Sequence, residues 1–201
     1  MHQSSNHRLS RMIFSISTFI FLLLLSYHLS IYRIPLNSNQ QQTIDFVRNT
    51  FGMENKLNIN LMLNYTSAES SHLNDVKKVM RMVNFFFYFS LIVIILMLTY
   101  YRKEKEELVK LLYYGGITTL VALGSIFILS LLFFNQAFTI FHLLFFPQGN
   151  WIFPIDSLLI QTFPLDFFIG ISKMIFIFGL LFGLLLIIFP RLCVIISRRY
   201  L

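Results

Sequence analysis

The chain has 201 residues, of which 56% are hydrophobic and only 12% charged, and 24 of them are Phe. A soluble protein has about a quarter of its residues charged, so this composition excludes a domain surrounded by water on all sides. The single cysteine excludes an intramolecular disulfide framework and a cysteine-cluster zinc site, and in so apolar a chain the net charge of +7 indicates membrane topology rather than a nucleic-acid partner.

Four apolar stretches are long enough to cross the hydrocarbon core of a membrane, which takes about 20 residues of helix. The first stretch has an alternative interpretation as a cleaved signal peptide, because a short basic segment precedes it. Its bulky end, Tyr27 to Ile31, has no small-residue cleavage site and favours an uncleaved span. Pro190 is expected to end the last stretch. The predicted spans are residues 12–31, 83–100, 115–134 and 167–189.

These spans predict an all-α fold, an integral membrane four-helix bundle forming a single transmembrane domain over residues 1–201. Gly179 and Gly183 are four residues apart in the fourth span and predict a close contact with another helix. The second and third spans carry only mild polar groups. A transporter, which normally has ionisable groups or broken helices near the midplane, is therefore the weaker hypothesis.

The distribution of cations predicts which side each loop occupies. One side has nine cations and three glutamates, whereas the other has six cations and six carboxylates, Glu54 and Lys56 among them. The positive-inside rule then places both termini in the cytoplasm, and Cys193 falls on that side as an unreactive or lipid-modified thiol. The nine cations are Arg8, Arg11, Arg102, Lys103, Lys105, Lys110, Arg191, Arg198 and Arg199.

Two outer segments remain, residues 32–82 and 135–166. In the first, short helices are expected, with Ser70 and Ser71 as caps of a helix that runs into the second span. In the second, residues 137–146 are almost all apolar but too few to cross the membrane. They predict an interfacial or re-entrant helix at the outer face that ends in the turn 147–151, with Trp151 at the level of the headgroups.

The titratable groups suited to chemistry lie in these two segments. His142 stands among phenylalanines, and His72 lies three residues before Asp75, on the same face of the predicted helix. A lone histidine is commonly structural, but two on one side near Asp75 and Asp156 form a candidate acid–base pair near neutral pH. A Ser-His-Asp triad using Ser70 or Ser71 is a possible arrangement that the spacing does not single out.

Lys173 is a charged residue inside a predicted span, about 10 Å below the outer end of the fourth span by helix rise. A charge at that depth is rare and marks a functional candidate. The alternative is that its long side chain extends outward to Asp166, to Asp156 or to lipid phosphate. The sequence leaves these two interpretations open.

Two segments resemble the lipoprotein intramolecular transacylase family. One is residues 135–153, with the FxxFHxxFF…W pattern around His142 and Trp151, followed by Asp156. The other is His72-Leu-Asn-Asp-Val-Lys-Lys, which is similar to the family's HxxDVK segment before its second span. The resemblance covers nearly the whole chain. The family often has Asp where Asn135 stands and Asp near Asn150, and it has a longer loop before His72.

The resemblance implies a membrane acyltransferase of the bacterial cell membrane, with its active site at the outer face. Such enzymes move the sn-2 acyl chain of a lipoprotein's diacylglyceryl-modified cysteine onto the α-amino group of that cysteine, giving the lyso form. Catalytic roles are expected for His142 as general base and His72 as general acid or oxyanion partner, and neither cofactor nor metal is expected. Supporting roles are expected for Asp75 as the orienter of His72, and for Asn135, Asn150, Trp151, Asp156 and Lys173.

The partners implied are diacylglyceryl-modified lipoproteins and membrane lipid. The rival hypothesis is a non-catalytic membrane module, for lipid binding or assembly, in which both histidines only satisfy local hydrogen bonds.

Overall fold

The computed structural model describes residues 2–48 and 64–199, and every regular element in these residues is an α-helix. Four of the helices are long and apolar enough to cross a membrane, which confirms the predicted all-α, four-span class. Glu54 and Lys56, which entered the charge count, lie outside the described residues. The helices are α1 (His2–Arg33), α2 (Ser38–Arg48), α3 (Ser67–Tyr100), α4 (Lys105–Leu132), α5 (Phe134–Phe145), α6 (Leu158–Thr162) and α7 (Leu165–Arg199).

The predicted cap of α3 was wrong, because the helix begins at Ser67, before Ser70 and Ser71. Thr66 and Glu69 form a reciprocal capping box: Thr66 N donates to Glu69 Oε2 at 2.8 Å, and Glu69 N donates to Thr66 Oγ1 at 3.3 Å. The T-x-x-E pattern that marks this start is present in the sequence. Because Thr66 caps the helix, α3 begins about one turn earlier than predicted, and His72 lies inside the helix.

Two other helix boundaries also differ from the prediction. Helix α7, the fourth predicted span, continues through Pro190 to Arg199 instead of ending at the proline, which membrane helices tolerate when other groups compensate the lost hydrogen bond. Helix α4, the third predicted span, ends at Leu132, and Phe133 leaves helical geometry with φ −135° and ψ 46° before α5 begins. The predicted short apolar helix in residues 137–146 is confirmed as α5.

The chain forms two compact units. The bundle unit comprises Met1–Tyr32, Phe86–Ile128 and Lys173–Leu201, and the histidine unit comprises Arg33–Phe85 and Leu129–Ser172. Within the bundle unit, large apolar side chains such as Leu96, Val121 and Ile177 are exposed. In water such a surface would be unstable, but hydrocarbon is its natural solvent.

Small residues bring the helices of the bundle unit together. A Cβ at Gly116 of α4 would lie 2.8 Å from the Gly183 carbonyl oxygen of α7, so the two backbones touch. A Cβ at Gly179 would collide with the side chain of Leu123 on α4. The predicted contact through the Gly179–Gly183 pair is therefore confirmed as helix packing.

A partly buried ion pair joins α1 to the start of α4 in the same unit. Arg11 donates to both oxygens of Glu107, at 2.6 and 2.8 Å, and Tyr101 donates to Ser10 at 2.8 Å. The bidentate geometry fixes two planar groups at once, which makes such a pair stronger than a single contact.

The histidine unit has its own core, built from Val47 of α2, Tyr65, Leu73 of α3 and Leu159 of α6. The Tyr65 hydroxyl also bonds to Thr43 Oγ1 at 3.0 Å inside this core. Helix α2 starts with a second capping box, in which Asn37 N donates to Gln40 Oε1 and Gln40 N donates to Asn37 Oδ1. This core holds the beginning of α3, and with it His72, in a fixed position.

Helix α3 is longer than a membrane requires. Its 34 residues measure about 51 Å at a helical rise of 1.5 Å, whereas the hydrocarbon core is about 30 Å thick. The largely apolar, uncharged part is residues 83–100, and the preceding part, residues 67–82, carries the charges. Glu69, His72 and Asp75 therefore lie outside the membrane-spanning segment.

Candidate functional site

His142 lies in the last turn of α5, where the helix backbone fixes its tautomer. Its Nδ1 lies 2.8 Å from the Phe138 carbonyl oxygen one turn earlier. Because a carbonyl oxygen only accepts, Nδ1 carries the proton and Nε2 of the neutral ring carries the lone pair. The ring is half-buried, and burial lowers the pKa of His142 below its ordinary value, although the bond to Phe138 acts in the opposite direction. His142 is thus a neutral imidazole whose Nε2 makes no hydrogen bond with the residues that the structure describes.

His72 lies on α3 and is only 8% exposed. Its ring packs against Phe146 and Phe153, with ring centroids 4.7 and 5.6 Å apart. Burial lowers the pKa of His72, and the nearby His142 lowers it further, while Asp75 and Asn150 favour the charged form. The neutral form is therefore the resting state of this ring as well.

Aromatic rings bring the two histidines into one cluster. Phe146 is almost fully buried and contacts both, with its ring centroid 4.7 Å from that of His72 and 5.7 Å from that of His142. Trp151 and Phe138 cover His142, with centroids 4.8 and 4.0 Å away. The predicted pair of histidines is thus assembled from two segments about 70 residues apart in the sequence, in surroundings that exclude much of the water.

Asp75 is the centre of a separate polar network. Its carboxylate accepts from Lys78 Nζ at 2.8 Å, from Gln148 Nε2 at 2.7 Å and from Asn150 Nδ2 at 2.8 Å. The Lys78 ammonium and the Asn150 amide hold the pKa of Asp75 below its usual range. Gly149 between the two amides has φ +77°, which favours glycine. Asp75 therefore anchors the turn that carries Trp151.

The structure brings Asp75 close to His72 without a direct bond between them among the described residues. The Asp75 charge acts on the His72 ring, and Asn150 lies between the two side chains as a partner of Asp75. Ser71 pairs weakly with Asn150, at 3.5 Å, and no hydrogen bond in the described part of the chain joins a serine to His72. The role of Asp75 as orienter stays a prediction.

Three buried polar atoms around the histidines have no hydrogen-bond partner in the described residues. They are His72 Nδ1, Asn150 Oδ1 and Trp151 Nε1. Buried polar groups are normally satisfied, and leaving one unpaired costs about 1–3 kcal/mol. Trp151 Nε1 can only donate, whereas Asn150 Oδ1 can only accept. The cluster therefore offers both a donor and an acceptor to a bound molecule.

Glu69 is an important residue of this unit that the sequence analysis missed. Its side chain is 1% exposed, and besides the capping bonds with Thr66 it accepts from Leu159 N of α6 at 2.8 Å. Burial, the largest influence, raises the pKa of Glu69, but the bonds donated by Leu159 and Thr66 outweigh it and lower the pKa below its ordinary value. The T-x-x-E pattern was the signal that could have identified it.

The remaining predicted residues lie in different places. Asn135 is exposed in the first turn of α5, two turns before His142. Asp156 is exposed and lines a cavity of about 360 Å³ together with Asn150 and Glu69. Lys173 belongs to the bundle unit, where it is exposed on α7. In the described residues no group of three His, Cys, Asp or Glu side chains is placed to hold a metal ion.

Comparisons with known proteins agree with this architecture. Residues 28–168 match the family described as lipoprotein intramolecular transacylase Lit. The chain is similar to the solved structure of the membrane integral Lit from Bacillus cereus, with a TM-score of 0.74 and 20% identity over 98% of this chain and 99% of that one.

A structure of the same Bacillus cereus protein with a histidine replaced by arginine has a TM-score of 0.73 and 19% identity, covering 100% of this chain and 97% of that one. The variant with the histidine replaced by alanine has a TM-score of 0.73 and 20% identity, covering 98% of each chain. A comparison with curated protein sequences gives no significant match.

Proposed function

Because the chain belongs to the lipoprotein intramolecular transacylase family, we propose that it moves the sn-2 acyl chain of a diacylglyceryl-modified lipoprotein cysteine onto the α-amino group of that cysteine. The family assignment makes the chain a bacterial membrane transacylase and favours the enzyme over a non-catalytic lipid-binding module. The observation that carries the finer proposal is the pairing of two neutral histidines around Phe146. The acyl acceptor and donor are on one molecule, so the reaction is an isomerisation that needs no enzyme nucleophile.

His142 acts as the general base in this proposal. The bond from its Nδ1 to the Phe138 carbonyl leaves Nε2 free to accept a proton. The substrate amine must lose a proton before or during its attack on the ester carbonyl, and Nε2 removes it. Its lowered pKa keeps His142 neutral at pH 7 and therefore ready to accept.

His72 acts on the two oxygen atoms of the ester, as a hydrogen-bond donor or as a general acid. When the amine attacks, the carbonyl oxygen becomes an oxyanion, and an N–H of the neutral His72 ring and the unbonded Trp151 Nε1–H are donors that can stabilise it. The C–O bond to the glyceryl oxygen then breaks, while the new N–C bond remains. The leaving glyceryl alkoxide takes a proton from a histidine and becomes a hydroxyl group. Asn150 Oδ1 is left to accept from the amine and hold it near the ester.

The orientation in the membrane is part of the same proposal. The excess of cations on one side supports cytoplasmic termini and an outer position for the histidine unit. A lipoprotein anchored in the outer leaflet would then present its cysteine to the histidines while its acyl chains stay in the hydrocarbon.

The test is mass spectrometry of the N-terminal peptide of a lipoprotein in bacteria that lack their own transacylase. Cells expressing the chain should produce the lyso form, with one acyl group on nitrogen. His142→Gln and His72→Gln should each lower its yield by about 10²–10⁴-fold at equal protein levels. His28→Gln, a substitution in the bundle unit, is the matched control and should keep normal yield.

Two results would contradict the proposal. If the lipoprotein kept its diacylglyceryl form in cells with the wild-type chain, the proposed reaction would be wrong. If both histidine variants gave a normal yield of the lyso form, the proposed reaction would still hold but the proposed catalytic site would be wrong.

A further inference from the structure

A cavity of about 360 Å³ adjoins the histidine site within the histidine unit. It is formed by the start of α3 and by the segment between α5 and α6. Its volume is at the low end of the range for small-ligand pockets, about 300–1,000 Å³, which suits a short piece of peptide better than two acyl chains. Its lining includes Thr66, Ala68, Glu69, Asn150, Phe153 and Asp156.

The cavity and the histidine site share two residues. Phe153 lines the cavity and packs against His72, with ring centroids 5.6 Å apart. Asn150 also lines the cavity, bonds to Asp75 at 2.8 Å, and has a buried Oδ1 without a partner in the described residues. A molecule held at the histidines therefore has the cavity directly beside it.

We infer that this cavity receives the peptide that follows the modified cysteine of the lipoprotein, and that Asp156 disfavours acidic residues there. The inference rests on the proposed function. The acyl chains of the substrate remain in hydrocarbon, whereas its peptide backbone needs polar surroundings. Along α3, Thr66 and Glu69 precede His72 and so lie on the side away from the apolar part, residues 83–100. A chain leaving the histidines away from the membrane enters this cavity.

The charges of the cavity give the expected selectivity. Glu69 and Asp156 line it, and its described lining contains no Lys, Arg or His. Glu69 is 1% exposed and bonded to Thr66 and Leu159, whereas Asp156 is exposed and free to face a substrate. An acidic side chain in the second position of the lipoprotein, directly after the modified cysteine, would be repelled by the Asp156 carboxylate. A basic side chain there would be attracted by it.

The first experiment uses the full-length protein in membranes and three diacylglyceryl-cysteinyl peptides that differ only in having Lys, Ser or Asp after the cysteine. We expect the Asp peptide to react roughly fivefold more slowly than the Ser peptide and the Lys peptide roughly fivefold faster, as for two unit charges about 4 Å apart in water. Asp156→Lys should reverse this order, and Asp156→Asn should remove it. Asp166→Lys makes the same charge change at an exposed position at the start of α7 and should leave the order as in the wild type.

The second experiment tests occupancy by size. Ala68→Phe narrows the cavity, so it should slow the serine peptide more than the diacylglyceryl-cysteine amide, which has no following residue. An equal effect on both substrates would overturn the inference, as would a wild-type rate independent of the second residue while lyso products still form. Absence of lyso products from every substrate with the wild type would instead refute the proposed function, and the inference with it.

Discussion

Replacing Glu69 by glutamine should destabilise the histidine unit substantially. The two carboxylate oxygens accept three hydrogen bonds of 2.8 Å, Oε1 from Leu159 N and Oε2 from Thr66 N and Oγ1. Glutamine has one acceptor oxygen, so one of these two groups of donors loses its partner, and its NH₂ faces donors. Hydrogen bonds to charged groups contribute about 1.5–3 kcal/mol each, so we expect a loss of about 2–4 kcal/mol in the free energy of unfolding.

The assay is titration of the purified protein with a denaturing detergent, followed by the fluorescence of Trp151, the single tryptophan of the chain. The loss should depend on pH with a definite sign. Because the folded state lowers the pKa of Glu69 from its ordinary 4.5, its stabilisation is fully present above that value. It disappears as the pH falls through the lower folded-state pKa. The difference between wild type and Glu69→Gln should therefore shrink below about pH 4.5.

Glu106→Gln is the matched control. The Glu106 side chain is 95% exposed, and its Oε2 lies 4.0 Å from Lys110 Nζ, so its removal should leave the unfolding midpoint nearly unchanged. Equal effects of the two substitutions, or a wild-type midpoint for Glu69→Gln, would refute the view that this carboxylate ties α3 to α6.

Other parts of the molecule yield further predictions. Acidification should quench the Trp151 fluorescence when His142, whose ring centroid is 4.8 Å away, gains a proton, with a midpoint below the ordinary 6.5; a flat titration from pH 8 to 4 would contradict this. Gly116→Ala should lower thermal stability in detergent by an overpacking cost of about 1–3 kcal/mol, whereas Gly124→Ala, which has open space around it, should not; the reverse order would be a clear failure. Gln148→Cys, in a variant lacking the native cysteine, should react with membrane-impermeant reagents in intact cells, and labelling only after lysis would reverse the proposed orientation.

The membrane helices could be predicted from the sequence because hydrocarbon demands long apolar runs with internally satisfied backbones. The ends of these helices were predicted less accurately than the helices themselves. Pro190 would break a helix in water, but α7 passes through it. Phe133 separates α4 from α5, and no glycine, proline or other turn-forming residue beside it indicates this break in the sequence. In such cases tertiary packing decides the boundary, and local propensity does not.

The two histidines could be identified in advance because imidazoles in apolar or helical outer segments are unusual. Their surroundings required the structure. Asp75 was expected to act on His72 because the two are three residues apart on α3, but its carboxylate accepts from Lys78, Gln148 and Asn150. The two amides belong to a turn more than 70 residues away, and helix periodicity carries no information about such contacts.

The lowered pKa values of both histidines have opposing consequences for the proposed acyl shift. A lower pKa makes His142 a weaker base for the substrate ammonium, but it also keeps the ring neutral and available near pH 7. The same aromatic burial that lowers the pKa of His142 would also disfavour the charged form of an amine held beside it. Desolvation therefore lowers the pKa of donor and acceptor alike, so the two effects offset each other in the transfer, but a larger fraction of the amine is already neutral and able to attack. It follows that opening the aromatic cover, as in Trp151→Ala, should raise the pKa of His142 and still slow the reaction, because the ammonium would regain its water.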